Sequence, residues 1–281
     1  MKCQRFLSVP IIAVFLLLGF VYYITIFIFI KDWAGLQTSA GLLNALIFTL
    51  LLCLCVFSFS VAVATDPGHV PSAYVPDVED DSGGASSDQE LKKAAERRQC
   101  DKCSAYKPPR AHHCKVCRRC VLRMDHHCLW INNCVGHWNY KAFFLLVFYA
   151  TSGSIYSMWL SFHLLSIKQK ILWTGSFYRV HGLHFVFCGT VMLALCLILG
   201  TLLGWHIYLI IHNMTTIEYH EGIRAAWLAK KSGLSYRHPF DVGVYKNISL
   251  VLGSNMLTWL CPTAISHLKD GTSFPTVRHT S

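Results

Sequence analysis

The chain has 281 residues, of which 53% are hydrophobic and 14% are charged, and its formal net charge is +10. Its mean hydropathy of +0.40 excludes a disordered or collagen-like chain and makes an ordinary soluble enzyme a poor fit. A net charge this high would also suit a nucleic-acid-binding protein, and whether it indicates one depends on where the charges lie in the sequence.

Four stretches contain no Asp, Glu, Lys or Arg and are long enough to form transmembrane helices: Val9–Ile30, Gly41–Ala64, Ala142–Leu165 and Phe185–Ile211. A helix needs about 20 apolar residues to cross the hydrocarbon core of a bilayer. The first stretch follows Lys2 and Arg5, as a signal peptide would, but it is too long and lacks a small-residue cleavage site. We therefore expect an all-α polytopic membrane protein with helices 1 and 2 in residues 1–64 and helices 3 and 4 in residues 142–211.

Lys and Arg are concentrated in three of the five segments outside these spans. Residues 1–8, 65–141 and 212–281 contain 21 of the 25, and the loops 31–40 and 166–184 contain the other four. Basic residues accumulate on the cytoplasmic side, so we expect both termini and the central loop to be cytoplasmic. A position beside a membrane explains the basic excess, and nucleic-acid binding loses its support. The lipid bilayer or a phosphate-bearing ligand is the expected partner.

The segments outside the membrane differ in composition. Residues 65–98 begin with the turn signal Asp66-Pro67-Gly68 and continue into an acidic, Gly/Ser-rich stretch, Pro76–Lys93, which is typical of a flexible linker. The C-terminal segment, 212–281, is amphipathic up to about Lys231. We expect a short helix within Asn247–Leu260, lying against the membrane surface.

Seven of the 13 cysteines lie in one 35-residue stretch of the central loop. They form a repeat, because Cys100-x2-Cys103-x9-His113-x6-Cys120 recurs 14 residues later as Cys114-x2-Cys117-x9-His127-x6-Cys134. Each set offers three thiolates and one imidazole, the ligands of a closed structural zinc site. Disulfides are not expected on the reducing side of the membrane. Residues 99–141 therefore predict a domain with two structural Zn²⁺ ions, although a reduced thiol cluster and other pairings of the ligands remain possible.

Cys128 is the seventh cysteine and falls outside both sets. It follows Asp125 and His126, and a thiol beside an imidazole that a carboxylate orients is the arrangement of an activated nucleophile. The alternative is that Cys128 binds zinc in place of another cysteine.

The stretch Cys100–Phe143, with Asp125-His126-His127-Cys128, resembles the cysteine-rich domain of the DHHC protein S-acyltransferases, or palmitoyltransferases. The four spans match this family, as do Asp66-Pro67-Gly68, Thr215-Thr216-Ile217-Glu218 (its TTxE motif) and the looser Tyr245-Lys246-Asn247 region. The short plant members are most similar. Leu129 stands where many members have Pro, which changes the backbone restriction but removes no reactive group.

The resemblance implies transfer of a long-chain acyl group, typically palmitoyl, from acyl-CoA to cysteines of membrane-associated proteins. Cys128 would carry the acyl group, His126 would act as base and proton donor, and Asp125 would orient the imidazole. Nearby cations would hold the CoA phosphates, and the candidates are Lys107, Arg110 and His112. The residues expected to support the site are Asp66, Thr216, Glu218, Tyr245 and Asn247. Trp130, Trp138, Tyr140 and Phe143 would seat the zinc domain on the membrane.

Two other function classes compete with this interpretation. A non-catalytic, membrane-anchored zinc module that only binds partners would need neither the free Cys128 nor its neighbours Asp125 and His126. A lipid- or metal-handling membrane protein fits poorly with spans that lack charge. The family resemblance further predicts residence in the endomembrane system, in the endoplasmic reticulum, Golgi or cytoplasmic vesicles.

Overall fold

The computed structural model describes residues 8–75, 99–171 and 178–277, and it describes side chains there except in 167–171 and 178–184. The predicted linker Pro76–Lys93 lies outside these residues. The described chain forms two compact units, one from residues 1–60 and 142–207 and the other from residues 61–141 and 208–281.

Among the described residues, four helices are long and apolar enough to cross a membrane: Val9–Trp33, Ser39–Ala64, Tyr140–Ser166 and Phe185–Ile211. The first comprises α1 (Val9–Tyr23), a π-helical segment (Ile24–Ile30) and α2 (Lys31–Trp33). The others belong to α3 (Ser39–Ala64), α4 (Tyr140–Ile171) and α5 (Tyr178–Ile211). The four predicted spans are confirmed, each within a few residues of its expected bounds, and the chain is a multi-pass membrane protein.

Polar side chains connect the helices of the first unit. The Thr25 hydroxyl in the π-helical segment lies 2.7 Å from the Ser157 hydroxyl on α4, and both residues are fully buried. The Tyr156 hydroxyl donates to Asn44 of α3 over 2.5 Å. Such bonds fix helices against one another where lipid tails give no hydrophobic preference for one packing over another.

In the part of the second unit that the structure describes, the chain forms three short antiparallel hairpins and two helices. Its strands pair as β1 (Gln99–Cys100) with β2 (Ala105–Tyr106), β3 (His112–Cys114) with β4 (Arg119–Val121), and β5 (His126–Cys128) with β6 (Asn133–Val135). Its helices are α6 (Thr216–Lys231) and α7 (Val244–Leu252), followed by a 3₁₀ turn at Met256–Thr258. The C-terminal helix that we expected therefore begins three residues earlier than Asn247 and ends at Leu252.

Residues that follow the second span bind the hairpins. The side chain of Asp66 accepts hydrogen bonds from the Gly68 N–H (2.9 Å) and from Arg119 (2.8 Å). Gly68 has φ +110°, and a Cβ there would lie 3.0 Å from the Trp138 ring, so the position requires glycine. Asn133 donates to the carbonyls of Ala62 and Thr65, at 3.2 and 2.9 Å, and so satisfies the end of α3.

Lys141 organises the C-terminal part of the second unit. Its side chain is 2% exposed, and Nζ donates to three backbone carbonyls, those of Leu252, Thr258 and Ala264, over 2.8 to 2.9 Å. Every ammonium proton therefore has an acceptor, which is how a buried charge becomes tolerable.

Replacing Lys141 by Met should destabilise the protein by about 2–5 kcal/mol, because three carbonyls lose a charged donor in a place that water does not reach. The measurement is the thermal unfolding midpoint of the purified protein in detergent. Lys246→Met, which removes an exposed lysine of α7, is the control and should leave the midpoint unchanged. Equal midpoints for the two variants would contradict the structural role of Lys141.

Candidate active site and zinc clusters

Two groups of Cys and His side chains converge in the second unit, and their members are those that the repeat predicts. One group is Cys100, Cys103, His113 and Cys120, and the other is Cys114, Cys117, His127 and Cys134. Within each group, the ligand atoms lie within 4.8 Å of one another. The structure therefore groups these eight side chains as the repeat predicts.

The distances fit a tetrahedral metal. In the second group, the sulfurs of Cys114, Cys117 and Cys134 lie 3.5 to 3.6 Å from Nδ1 of His127. Zinc bonds of normal length place a sulfur and a nitrogen ligand about 3.6 Å apart at tetrahedral angles. Three thiolates and one imidazole at this spacing fit Zn²⁺, which would contribute much of the folding free energy of such small hairpins.

Each cluster joins the turn of one hairpin to the strands of the next. Cys114 ends β3 and Cys117 lies in the turn that follows, while His127 and Cys134 face each other across β5 and β6. The first cluster repeats this pattern one hairpin earlier. Two metals would thus connect three hairpins in series and leave the turn of the third hairpin outside both clusters.

The turn of the third hairpin has the same backbone conformation as the other two. The three turns begin with Cys100, Cys114 and Cys128. The residue four positions later is left-handed in each, with φ of 50°, 54° and 46° at Ser104, Arg118 and Asn132. In each turn, the backbone N–H groups two and three residues after the cysteine donate to its sulfur. Cys128 therefore lies in a turn that resembles those of the zinc ligands.

The third turn lacks a second ligand. Ile131 is fully buried and occupies the place that Cys103 and Cys117 have in the other turns. Beyond the third hairpin the chain continues as α4 rather than as a further hairpin. Both clusters are complete without Cys128, so the alternative in which it replaces a zinc ligand is not supported. Applying the 14-residue shift a second time would have revealed this relation in the sequence.

Cys128, His126 and Asp125 form a hydrogen-bonded chain. Nδ1 of His126 lies 2.7 Å from Oδ2 of Asp125, and the imidazole also hydrogen-bonds the Cys128 thiol. Asp125 is fully buried, whereas the His126 side chain is 32% exposed. Because the carboxylate accepts, Nδ1 carries the proton and Nε2 is the nitrogen that can take a proton from the thiol.

The electrostatics of this chain favour a thiolate. Burial opposes charge on both groups, but the hydrogen bonds outweigh it. Those with Asp125 and Cys128 raise the pKa of His126 to about 9. Those from His126 and from the backbone N–H groups of Ile131 and Trp130 lower the pKa of the Cys128 thiol. A lowered pKa favours the thiolate, which is the reactive form of cysteine.

Thr216, which begins α6, donates hydrogen bonds to both oxygens of the Asp125 carboxylate. Its backbone N–H donates to Oδ1 over 2.9 Å and its hydroxyl to Oδ2 over 3.0 Å. The positive end of the helix dipole adds to the stabilisation of a carboxylate at this position. The sequence expectation placed Thr216 beside the Asp125 region, and the structure brings them into contact.

Glu218 supports the same helix start. It forms a capping box with Thr215, whose N–H donates to Oε2 over 2.9 Å. It also pairs with Arg110 through two bonds, from Nε to Oε1 (2.6 Å) and from Nη2 to Oε2 (2.8 Å). Nη2 of Arg110 also donates to the Asn213 carbonyl over 2.8 Å. A bidentate pair of this kind fixes both side chains.

The structure does not fit one expectation about CoA. The Arg110 side chain is 1% exposed and its donors are taken by Glu218 and Asn213, so it is not available to a phosphate. Lys107 and His112 are half-buried and keep the expected role as a proposal. Burial, with a contribution from Lys107, lowers the pKa of His112 against the raising effect of Glu221 and Glu218.

The remaining candidates divide between the interior and the surface. Asn247 is fully buried and donates to the Ile211 carbonyl and to Asp241, over 2.6 and 2.7 Å, whereas Tyr245 is 61% exposed. Trp130 is 60% exposed and Trp138 is half-buried. Tyr140 and Phe143 are 1% and 4% exposed, so the expectation that these two rings seat the domain on lipid is wrong.

Sequence reasoning missed Asn213, Phe240 and Phe274, which surround Arg110. Asn213 is left-handed, with φ 48°, and lies where α5 ends. The rings of Phe240 and Phe274 lie 4.5 and 4.9 Å from the Arg110 guanidinium carbon. All three residues lie more than 100 positions from Arg110, and no spacing rule connects them.

Comparison with known proteins agrees with this geometry. Residues 93–223 match the family described as DHHC palmitoyltransferase. The chain is 59% identical to probable protein S-acyltransferase 15 of Arabidopsis thaliana over 93% of this chain and 99% of that protein. It is 50% identical to probable protein S-acyltransferase 16 of the same plant over 96% and 93%. It is also 31% identical to human palmitoyltransferase ZDHHC2 over 98% and 77%.

The clusters predict two zinc ions per chain, and Cys128→Ser should keep both because its sulfur belongs to neither cluster. Cys134→Ser should lose zinc, since it removes one of four ligands. The measurement is the zinc content of purified protein by plasma mass spectrometry. Loss of zinc from Cys128→Ser would overturn the assignment of the clusters.

Removing one member of the buried Arg110–Glu218 pair should destabilise the protein. Arg110→Met or Glu218→Gln alone should destabilise the protein by about 3–5 kcal/mol, because either change leaves a buried charged or polar group without its partner. The double variant should lose less than the sum. The thermal unfolding midpoint reports this, and Arg119→Met at the exposed pair with Asp66 is the matched control, with an expected effect of about 1 kcal/mol or less. Additive effects of Arg110→Met and Glu218→Gln would contradict the coupling.

Proposed function

The chain belongs to the DHHC palmitoyltransferase family and is a protein acyltransferase; we propose that it moves a long-chain acyl group from acyl-CoA to protein cysteines through an acyl-enzyme on Cys128. The observation that carries the proposal is the chain of hydrogen bonds from Cys128 through His126 to Asp125, outside both zinc clusters. A binding module would need no such chain.

In the first step, His126 takes the proton of the Cys128 thiol on Nε2, and the thiolate attacks the thioester carbon of acyl-CoA. The C–S bond to CoA then breaks, and the leaving CoA thiolate takes the proton from the imidazolium. Asp125 holds Nδ1–H throughout and stabilises the positive ring. One thioester replaces another, so the step needs no external energy source.

In the second step, a substrate cysteine gives its proton to His126 and its sulfur attacks the acyl-enzyme. The C–S bond to Cys128 breaks, and Cys128 recovers the proton. The same imidazole therefore serves as base and acid twice. The zinc ions would hold the hairpins and take no part in either step.

The substrates that fit this chemistry are amphipathic. The transfer of a 16-carbon acyl chain out of water is favourable by on the order of 10 kcal/mol of free energy, which favours reaction at a bilayer surface. Leu129 and Trp130, next to Cys128, are 62% and 60% exposed, which supports a position at the lipid boundary. Lys107 and His112 are our candidates for the CoA phosphates.

The protein substrates are membrane-associated proteins with accessible cysteines, and the site faces the cytoplasm. The support for this orientation is that 21 of the 25 Lys and Arg residues lie in segments on the side of Cys128. Endoplasmic reticulum, Golgi or cytoplasmic vesicles are the compartments we propose.

Purified protein given labelled palmitoyl-CoA should take up hydroxylamine-sensitive label, and Cys128→Ser should abolish it because the nucleophile is gone. His126→Ala should slow uptake by at least about a hundredfold, since the general base is lost. The measurement is label per chain against time at several acyl-CoA concentrations.

Cys261→Ser is the matched control, since Cys261 is an exposed cysteine of the same unit that lies outside the hydrogen-bonded chain. It should label like the unchanged protein. Undiminished label in Cys128→Ser, or none in the unchanged protein, would rule out the acyl-enzyme on this residue.

A further inference from the structure

The last described segment of the chain is Lys269–Val277, which we call the C-terminal strap. It contacts His137 and Pro239 of the second unit. The Lys269 carbonyl accepts a hydrogen bond from Nε2 of His137 over 2.8 Å. The Val277 N–H donates to the Pro239 carbonyl over 3.0 Å. The strap is therefore attached at both ends within the second unit.

The middle of the strap is held by the same histidine. Gly271 has φ +80°, and a Cβ at this position would lie 2.8 Å from Cδ2 of His137, so the chain passes the ring at a distance only glycine allows. His137 is 7% exposed and its ring meets that of Phe274 edge to face, with centroids 5.8 Å apart. These contacts determine where the Phe274 ring lies.

Phe274 and Phe240 enclose the guanidinium of Arg110. Its carbon lies 4.9 Å from the centre of the first ring and 4.5 Å from that of the second, and the two rings meet at 76°. Cation–π contacts are strongest where water is excluded, as it is around this 1%-exposed side chain. The two rings flank the guanidinium in the orientation in which it pairs with Glu218.

From Arg110 the contacts continue to the reacting group. Glu218, which Arg110 binds with two bonds, closes the capping box of α6 with Thr215. The next residue, Thr216, gives Asp125 two hydrogen bonds, and Asp125 orients His126. These links are hydrogen bonds between buried or half-buried groups, apart from the peptide bond that joins Thr215 to Thr216.

We propose that Phe274 is a positioning residue, through which the C-terminal strap fixes Arg110 and thereby the Asp125–His126 pair that serves Cys128. The proposal rests on the proposed function for its catalytic meaning, but the geometric claim concerns the reactivity of the Cys128 thiol and can be tested without acyl transfer.

The experiment measures two rates on the full-length protein in detergent. The first is alkylation of Cys128 by iodoacetamide, followed by mass spectrometry of its peptide, with the exposed Cys261 of the same sample as internal reference. The second is formation of the acyl-enzyme from palmitoyl-CoA. The variants are Phe274→Ala, Phe274→Tyr, which keeps the ring, and Ser273→Ala, an exposed neighbour in the strap.

Phe274→Ala should slow alkylation of Cys128 relative to Cys261 by several-fold. It should also lower kcat for the acyl-enzyme about tenfold with little change in KM, because a small displacement of a catalytic group costs rate rather than binding. Phe274→Tyr should restore both rates, and Ser273→Ala should match the unchanged protein. In a Thr216→Ala background, Phe274→Ala should add little, since both act through Asp125.

Several results would overturn the proposal: an unchanged Cys128 to Cys261 ratio in Phe274→Ala, no recovery with Phe274→Tyr, or a full multiplicative loss in the double variant. A fall in both alkylation rates or in zinc content would mean general misfolding and would also count against positioning. Absence of acyl label in the unchanged protein, with the alkylation pattern as expected, would refute the proposed function and leave the positioning role standing.

Discussion

Tetrahedral coordination by three thiolates and one imidazole requires that a hairpin turn and the two strands of the next hairpin approach within a few ångströms. Each cluster takes two ligands from a turn and two from facing strand positions, so the hairpins are joined in sequence. The stretch has few large apolar side chains with which to build a core. Metal binding is therefore the interaction on which the positions of His126 and Cys128, both on β5, depend.

Metal coordination positions the hairpins but supplies no hydrogen-bond donor for the Asp125 carboxylate. The donors come from the start of α6, which follows the fourth span by only four residues. Its first turn provides Thr216 for Asp125 and Glu218 for Arg110, so one helix terminus satisfies a buried carboxylate and pairs a buried guanidinium. The Asp125 carboxylate thus depends on a contact between two parts of the chain that lie about ninety residues apart.

The sequence predicted those parts of the fold that obey a local rule. The four spans follow from charge-free length, and the ligand sets follow from a repeated spacing, because Cys and His at fixed intervals can satisfy one metal in few ways. Arg110 shows where this reasoning ends. A basic residue near a predicted phosphate site looked like a ligand, but its carboxylate partner lies 108 residues away, and only the fold brings them together. The same holds for Phe274, whose position depends on the contact between Gly271 and His137.

The serial arrangement of the hairpins also limits how this part of the chain can evolve. Two ligand sets interleave over 35 residues, and the third turn keeps the same 14-residue step. One inserted or deleted residue between Cys114 and Cys134 would change the spacing within the second ligand set. The hairpins can accommodate many substitutions outside the ligand positions, whereas they cannot accommodate changes of length. We therefore expect natural variants to differ here in residue type and to be uniform in residue number.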